Sequence, residues 1–404
     1  MRRIAIITES RVWGGLEAHA VSLAETLTAA GFEPSIACIG EETFSLYRKV
    51  AGLSIRLVLV ERPSGSARRN PYAWRRALRA VSADAAILEK GTLNTGSLAL
   101  DIAIRTTFGP YIAIEQLEPP LIPPRSSRRY LGGLVPGVGL WWYRWKVSGY
   151  LRSICPALTV CCSDSVRDRL ATDYGFSRKR LTTGRHGIDL DRFRPDAERR
   201  RDTRAAWGIP PESFVFGSVR RFVFDKGLDV AIEAFAATVA RCPDKSLSLV
   251  LVGDGPERET LERQAHQLGV GRLVKFPGFS NTPWELYPAF DVFLLPSRVE
   301  ALGVVALEAM ACDSEVIGSY VGGIPEMISD PTLGTLVPAG YSPAWADAMV
   351  RAARRAPQER AALLQRAREH VRQHFDRRQQ YLRIVALLAD VSGQTLAKEL
   401  PECA

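Results

Sequence analysis

The chain has 404 residues, of which 46% are hydrophobic and 24% charged, and a formal net charge of +9. This composition excludes disorder and fibre, and the length predicts two domains, each large enough for its own core. No apolar run approaches the roughly 18 residues of a membrane-spanning helix, Ile4-Ala5-Ile6-Ile7 is too short for a signal-peptide core, and seven cysteines without a CxxC pair fit neither a disulfide framework nor a zinc site.

Apolar bursts alternate with helical stretches almost throughout, the pattern of parallel-sheet α/β domains. Arg3 to Thr8 reads as a strand, Gly14-Gly15 as the loop after it, and Leu16 to Ala30 as a helix stopped by Gly31. Further strands are expected at Ser35 to Ile39, Ile55 to Val60, Ala85 to Leu88, Tyr111 to Ile114 and Leu158 to Cys161. Between the last two, Arg125, Arg128, Arg129, Arg144, Lys146 and Arg152 surround Trp141, Trp142, Tyr143 and Trp145. Cations interleaved with amphipathic rings suit an anionic membrane surface, so the 125–152 segment is expected to rest there. No nucleic-acid-binding motif accompanies the charge.

The Pro- and Arg-rich stretch Asp189 to Pro211 reads as a linker. Strands resume at Phe214 to Val219, Ser248 to Val252, Leu273 to Phe276, Val292 to Leu295, Glu315 to Ile317 and Gly334 to Val337. The expected organisation is therefore a domain over 1–190, a second over 191–374, and a terminal helical segment over 375–404. Two doubly wound sheets of this kind predict a central cleft, because ligands of such sheets gather at strand carboxyl ends.

The residues that carry chemistry fall mostly in the second domain. Glu300 ends a strand, and Gly303 allows close backbone approach before a helix whose first amides, from Val304 on, favour an anion such as diphosphate. Glu308 lies one turn further in, where a carboxylate can accept two hydrogen bonds from a ribose diol. Arg221 and Lys226, in the loop after Val219, would neutralise a diphosphate as a fork and a point charge.

The ordered set Gly14-Gly15-Leu16-Glu17, Gly187-Ile188-Asp189, Arg221 with Lys226-Gly227, Gly253-Asp254-Gly255-Pro256, Glu300 to Glu308, and Gly322-Gly323-Ile324-Pro325-Glu326 resembles glycosyltransferase family 4. The resemblance implies a GT-B fold of two Rossmann-like domains, a nucleotide-diphosphate sugar donor, retention of anomeric configuration, and neither cofactor nor obligatory metal. A transferase of cell-surface polysaccharide synthesis with its acceptor bound by the first domain is expected; the cysteine usage suits a cytoplasmic setting, and the 125–152 segment, holding the enzyme peripherally at the inner membrane face, points to a glycan or lipid-linked glycan acceptor. Arg221, Lys226 and Glu300 would be catalytic, with Lys226 and Arg221 on the diphosphate and Glu300 by the transferred sugar. Gly14, Gly15, Gly303, Val304 and Glu308 would bind the donor. A final helix, Phe375 to Val391, would return to the first domain.

The match has departures. Family members often carry a His after a first-domain strand, where Gln116 stands here, able to hydrogen-bond a sugar hydroxyl but not to titrate. Asp313 and Glu315 replace a Gly and a Pro, and Leu302 replaces a frequent aromatic. A sugar-nucleotide epimerase or a non-catalytic sugar-nucleotide binder are the alternatives; a nicotinamide enzyme is disfavoured because no GxGxxG follows a strand.

Overall fold

A computed structural model describes residues 3–10, 15–49, 55–91, 97–116, 129–130 and 135–392. The chain divides into two compact units, Met1–His186 with Arg378–Ala404, and Gly187–Arg377.

In the first unit the strands are β1 (Arg3–Thr8), β2 (Glu33–Ile39), β3 (Arg56–Val60), β4 (Ala85–Lys90), β5 (Tyr111–Glu115), the short antiparallel pair β6 (Arg129–Tyr130) and β7 (Val135–Pro136), β8 (Leu158–Cys161) and β9 (Leu181–Thr183). Seven of them form one parallel sheet in the order β3-β2-β1-β4-β5-β8-β9. Strand residues are buried on both sides, as helices on both faces require. Ile4 and Ile6 point to the layer holding Leu23 and Leu27 of helix Gly15–Ala29 and Tyr381, Ile384 and Leu388 of helix Arg377–Val391. Ala5 and Ile7 point to the opposite layer, with Trp74, Leu78, Leu100 and Ile104 of helices Pro71–Leu78 and Leu98–Phe108.

The second unit holds β10 (Phe214–Val219), β11 (Leu247–Val252), β12 (Val274–Gly278), β13 (Val292–Leu295), β14 (Glu315–Ser319) and β15 (Thr335–Val337), parallel in the order β12-β11-β10-β13-β14-β15. Phe235 of helix Leu228–Arg241 and Trp345 and Met349 of helix Ser342–Ala353 pack on Leu249, Leu251, Val292 and Leu294. In this sheet the chain runs from β10 outward to β11 and β12, then returns to β13 on the other side of β10. That reversal opens a crevice at the carboxyl ends of β10 and β13, where ligands of open α/β sheets bind.

The expected linker is structured. Residues Ala197–Ala206 form a helix capped by Asp196, whose side chain accepts from the Arg199 amide. Arg204 of this helix is buried and donates to Asp291 at 2.8 Å, to the Ala289 carbonyl at 2.9 Å and to the Ser213 carbonyl at 3.0 Å. Polar anchoring to the start of β13 replaces the apolar stripe that would have revealed a helix. Where the chain enters and leaves this unit the two segments lie side by side: Ile188 donates to the Phe375 carbonyl and accepts from the Arg377 amide. A Cβ on Gly187 would stand 2.4 Å from the Arg377 Cα, so only glycine allows this approach.

Candidate functional site

The junction of β10 and β13 gathers the residues with chemistry. Ser218, inside β10, donates to the Leu294 carbonyl of β13 at 2.8 Å, and the Arg298 amide donates to the Asp225 carbonyl at 2.8 Å. These bonds tie the two following loops together. Lys226 Nζ lies 2.9 Å from Glu300 Oε2, Ser297 donates to the same oxygen at 2.9 Å, and Arg220 Nη2 reaches it at 3.4 Å. Arg220 Nη1 also donates to Ser297 Oγ at 2.8 Å and to the Lys226 carbonyl at 3.2 Å. Burial pushes the Glu300 carboxyl up, but Lys226 and Arg220 more than reverse this, holding it below its ordinary range. Two cations face one carboxylate, leaving a surplus of positive charge for an anion.

Glycines allow these loops to touch. A Cβ on Gly227 would stand 1.9 Å from the Pro296 carbonyl oxygen, one on Gly253 1.9 Å from that of Arg220, and one on Gly322 1.7 Å from that of Glu300. Three separated glycine motifs thus serve one purpose, backbone-on-backbone packing around the junction. Gly303, with φ of +89°, opens helix Val304–Ala311, whose first turn no side chain caps. An uncapped helix start directs unpaired amides outward and attracts anions. Inside that helix Glu308 accepts from the Tyr287 hydroxyl. Burial pushes the Glu308 carboxyl up to about 7, opposed only by that bond.

The structure therefore brings Lys226 and Glu300 into contact and places Gly303 and Val304 at the helix start in the same loop. The Arg221 side chain is exposed and engages no partner among the described residues; the guanidinium on Glu300 belongs to Arg220. Arg220, Ser297 and Tyr287 were not singled out by sequence. For Arg220 the only sequence signal is its place beside Arg221 in the loop after Val219; in the structure the Gly253-Asp254-Gly255 motif packs on the carbonyls of Arg220 and Phe222.

In the first unit Gln116 directly follows β5 and donates to Glu89 Oε2, while His19 Nδ1 lies 3.0 Å from Glu89 Oε1. His19 also packs against His186 at 4.4 Å between ring centroids; His19 is buried and His186 half-buried, and the Nε2 atom of each is buried without a hydrogen-bond partner among the described residues. Burial, with His19 close by, holds His186 well below its ordinary range. Gln116 is thus engaged with a carboxylate. Gly15 is the first residue of its helix, while Gly14, Arg125, Arg128, and Leu117 to Pro119 lie outside the described residues, as do the side chains of residues 141–145. Asp189 accepts from the amides of Asp191 and Arg192 and pairs with Arg377 at 3.1 Å, the bonding of a turn.

The departures from the family pattern carry their own compensation. Asp313 adopts φ of +59°, a conformation natural to glycine, and both of its oxygens accept from Arg368 at 2.6 Å. Glu315, fully buried, is held by Arg355 at 3.0 Å and Arg360 at 3.2 Å. Arginines near and within helix Pro357–His374 thereby accommodate charges where Gly and Pro are common.

Two parallel α/β units with a cationic loop pair at a strand-order reversal define a GT-B protein. Residues 199–370, within the second unit, match the family model of glycosyl transferases group 1. It is 37% identical over 225 residues to a D-inositol 3-phosphate glycosyltransferase of Saccharomonospora viridis, covering 54% of this chain and 52% of the relative. It is 38% identical over 182 residues to a GDP-mannose-dependent alpha-(1-6)-phosphatidylinositol monomannoside mannosyltransferase of Mycolicibacterium smegmatis, covering 42% of this chain and 46% of that protein. The chain spans about half the length of the curated relatives it matches. Its fold is that of Anabaena Alr3699/HepE, crystallised in complex with UDP: TM-score 0.78, 19% identity, covering 96% of this chain and 100% of that one.

Proposed function

We propose that the protein is a retaining glycosyltransferase that moves a sugar from a nucleotide-diphosphate donor onto a glycan or lipid-linked glycan acceptor in cell-surface polysaccharide synthesis. The observation that carries this reading is the surplus positive charge where Lys226 and Arg220 meet Glu300, in the loop that leads into an uncapped helix start. UDP in a protein of the same fold and GDP-mannose in the name of a relative support a nucleotide-sugar donor. Inositol phosphate and phosphatidylinositol mannoside in the relatives' names support a polyhydroxylated or lipid-linked acceptor.

In this reaction the bond between the anomeric carbon and the diphosphate oxygen breaks, the acceptor oxygen bonds to the same face, and its proton passes to the departing phosphate. Charge builds on the leaving diphosphate while the sugar becomes cation-like. Fixed positive groups lower that barrier. A contact near 4 Å is worth about 4 kcal/mol at an effective dielectric of about 20, against about 1.4 kcal/mol for tenfold in rate. Lys226, the exposed Arg221 and the Val304 amide end take the diphosphate, in place of a metal ion. Glu300 stands by the transferred sugar and Glu308 takes the ribose.

The test is a thermal-shift screen against UDP-, GDP-, ADP- and TDP-sugars, since a ligand that binds only the folded state raises its stability, followed by turnover of the donor that binds. Lys226→Ala is expected to lower turnover about a hundredfold, by analogy with loss of one oxyanion donor. Wild-type turnover in that variant removes the assignment. An epimerised donor instead of a transfer product points to an epimerase, and binding without turnover to a non-catalytic binder.

The acceptor reading places the protein on the cytoplasmic side of an anionic membrane. In helix Gly137–Ile154, Val147, Tyr150, Leu151 and Ile154 are exposed and share one face by their spacing. No helix among the described residues is long and apolar enough to cross a membrane. Vesicle flotation should show binding to anionic lipid, weakened by Leu151→Ser. Absence of binding to both anionic and neutral vesicles excludes membrane contact.

A further inference from the structure

Arg220 has no assigned role, yet it is the most buried charged group at the β10/β13 junction: its side chain is 3% exposed against 14% for Glu300 and 21% for Lys226. Its backbone amide extends the sheet by donating to the Val252 carbonyl at 2.9 Å, and its carbonyl rests on Gly253. The side chain cannot swing toward solvent without breaking bonds to two loops. Nη1 holds the Lys226 carbonyl and Ser297 Oγ, and Nη2 holds Glu300. The donors on Glu300, namely Lys226, Ser297 and Arg220, all converge on Oε2. Among the described residues no hydrogen bond engages Oε1, which is thereby left for a ligand.

Burying a guanidinium is costly, and here its Nε is left without a partner. A cation serving only to attract an anion would sit where Arg221 sits, exposed in the same loop. We propose that Arg220 is a positioning residue: it locks Glu300 with Oε1 presented to the ligand and ties the Lys226 main chain to the Glu300 loop, while Arg221 remains the cation free to meet the ligand. The proposal rests on the transferase reading for its kinetic arm only.

Three variants test it. Arg220→Gln is expected to lower kcat about a hundredfold with donor KM changed less than about threefold. Arg220→Lys, which keeps the charge but cannot span both loops, should recover only part of the loss. Arg221→Ala, which removes a cation that meets the diphosphate directly, should raise donor KM as well as lower kcat. The second readout needs no substrate: the Glu300 carboxyl followed by 13C NMR, assigned with Glu300→Gln. Lys226 and Arg220 are the cations on that carboxyl, so loss of Arg220 should raise its pKa, and Arg221→Ala should leave it unmoved. An unchanged Glu300 titration in both Arg220 variants overturns the proposal, as does a kcat loss confined to Arg221→Ala. If no nucleotide sugar turns over in the wild type, the transferase reading fails while the carboxyl titration still decides the role of Arg220. Should Arg220→Gln not fold, Arg220→Met, which also removes the charge but fills a similar volume, carries both readouts.

Discussion

Glu300 and Glu308, eight positions apart, titrate in opposite directions. Burial raises both, but Glu300 has Lys226 and Arg220 against it and is held low, whereas Glu308 has only the Tyr287 hydroxyl and is pushed up to about 7. The folded state therefore keeps a proton on Glu308 that the unfolded chain releases at lower pH. Stability of the ligand-free protein should fall as pH rises from the ordinary carboxyl range to about 7, then level off. If Glu308 takes a ribose diol, the charged form is the better acceptor. Affinity for a nucleotide sugar, whose diphosphate has fixed charge, should then strengthen as pH rises through about 7. Isothermal titration calorimetry across that range should lose its slope in Glu308→Gln. A slope retained in that variant would exclude Glu308 as the titrating group. Sequence pointed to these carboxylates and to Lys226, because a strand followed by a glycine and a helix start leaves little choice of place. It could not choose between Arg220 and Arg221, since neighbours of identical chemistry differ only in which way the chain turns them.

At the scale of elements, the strands most legible in sequence were mostly apolar bursts: β1, β8, β10 and β13 have the bounds their composition predicts. β9 escaped notice because Leu181-Thr182-Thr183 offers a single aliphatic residue, its edge position being set by pairing with β8. Helix Ala197–Ala206 was read as a linker for a related reason: Arg204 is its buried residue, and its attachment runs through Asp291 and two carbonyls. Polar anchoring leaves no hydrophobic period to detect. Arg204→Ala should consequently destabilise the second unit by about 3–5 kcal/mol, because it strips a buried partner from Asp291. Urea denaturation showing less than about 1 kcal/mol of loss would mean that Arg200, 2.6 Å from Asp291, suffices alone.

For the whole molecule, the first unit is discontinuous: residues 378–404 return to complete it after the second unit has been traced. The buried Tyr381, Ile384, Val385 and Leu388 belong to the layer of Ile4, Ile6, Leu23 and Leu27. Burying each such side chain contributes about 1.5–3 kcal/mol, so four rival the roughly 5–15 kcal/mol that holds a domain together. A chain ending at residue 377 should keep a protease-resistant second unit while the first becomes protease-sensitive and binds ANS. A first unit that still unfolds cooperatively in that variant would show the returning helix to be dispensable. During synthesis the order of birth and the order of completion are then inverted. Residues 4–27 leave the ribosome long before residues 381–388 and must wait, one face bare, until those emerge, and in that interval a chaperone or a neighbouring chain can reach them.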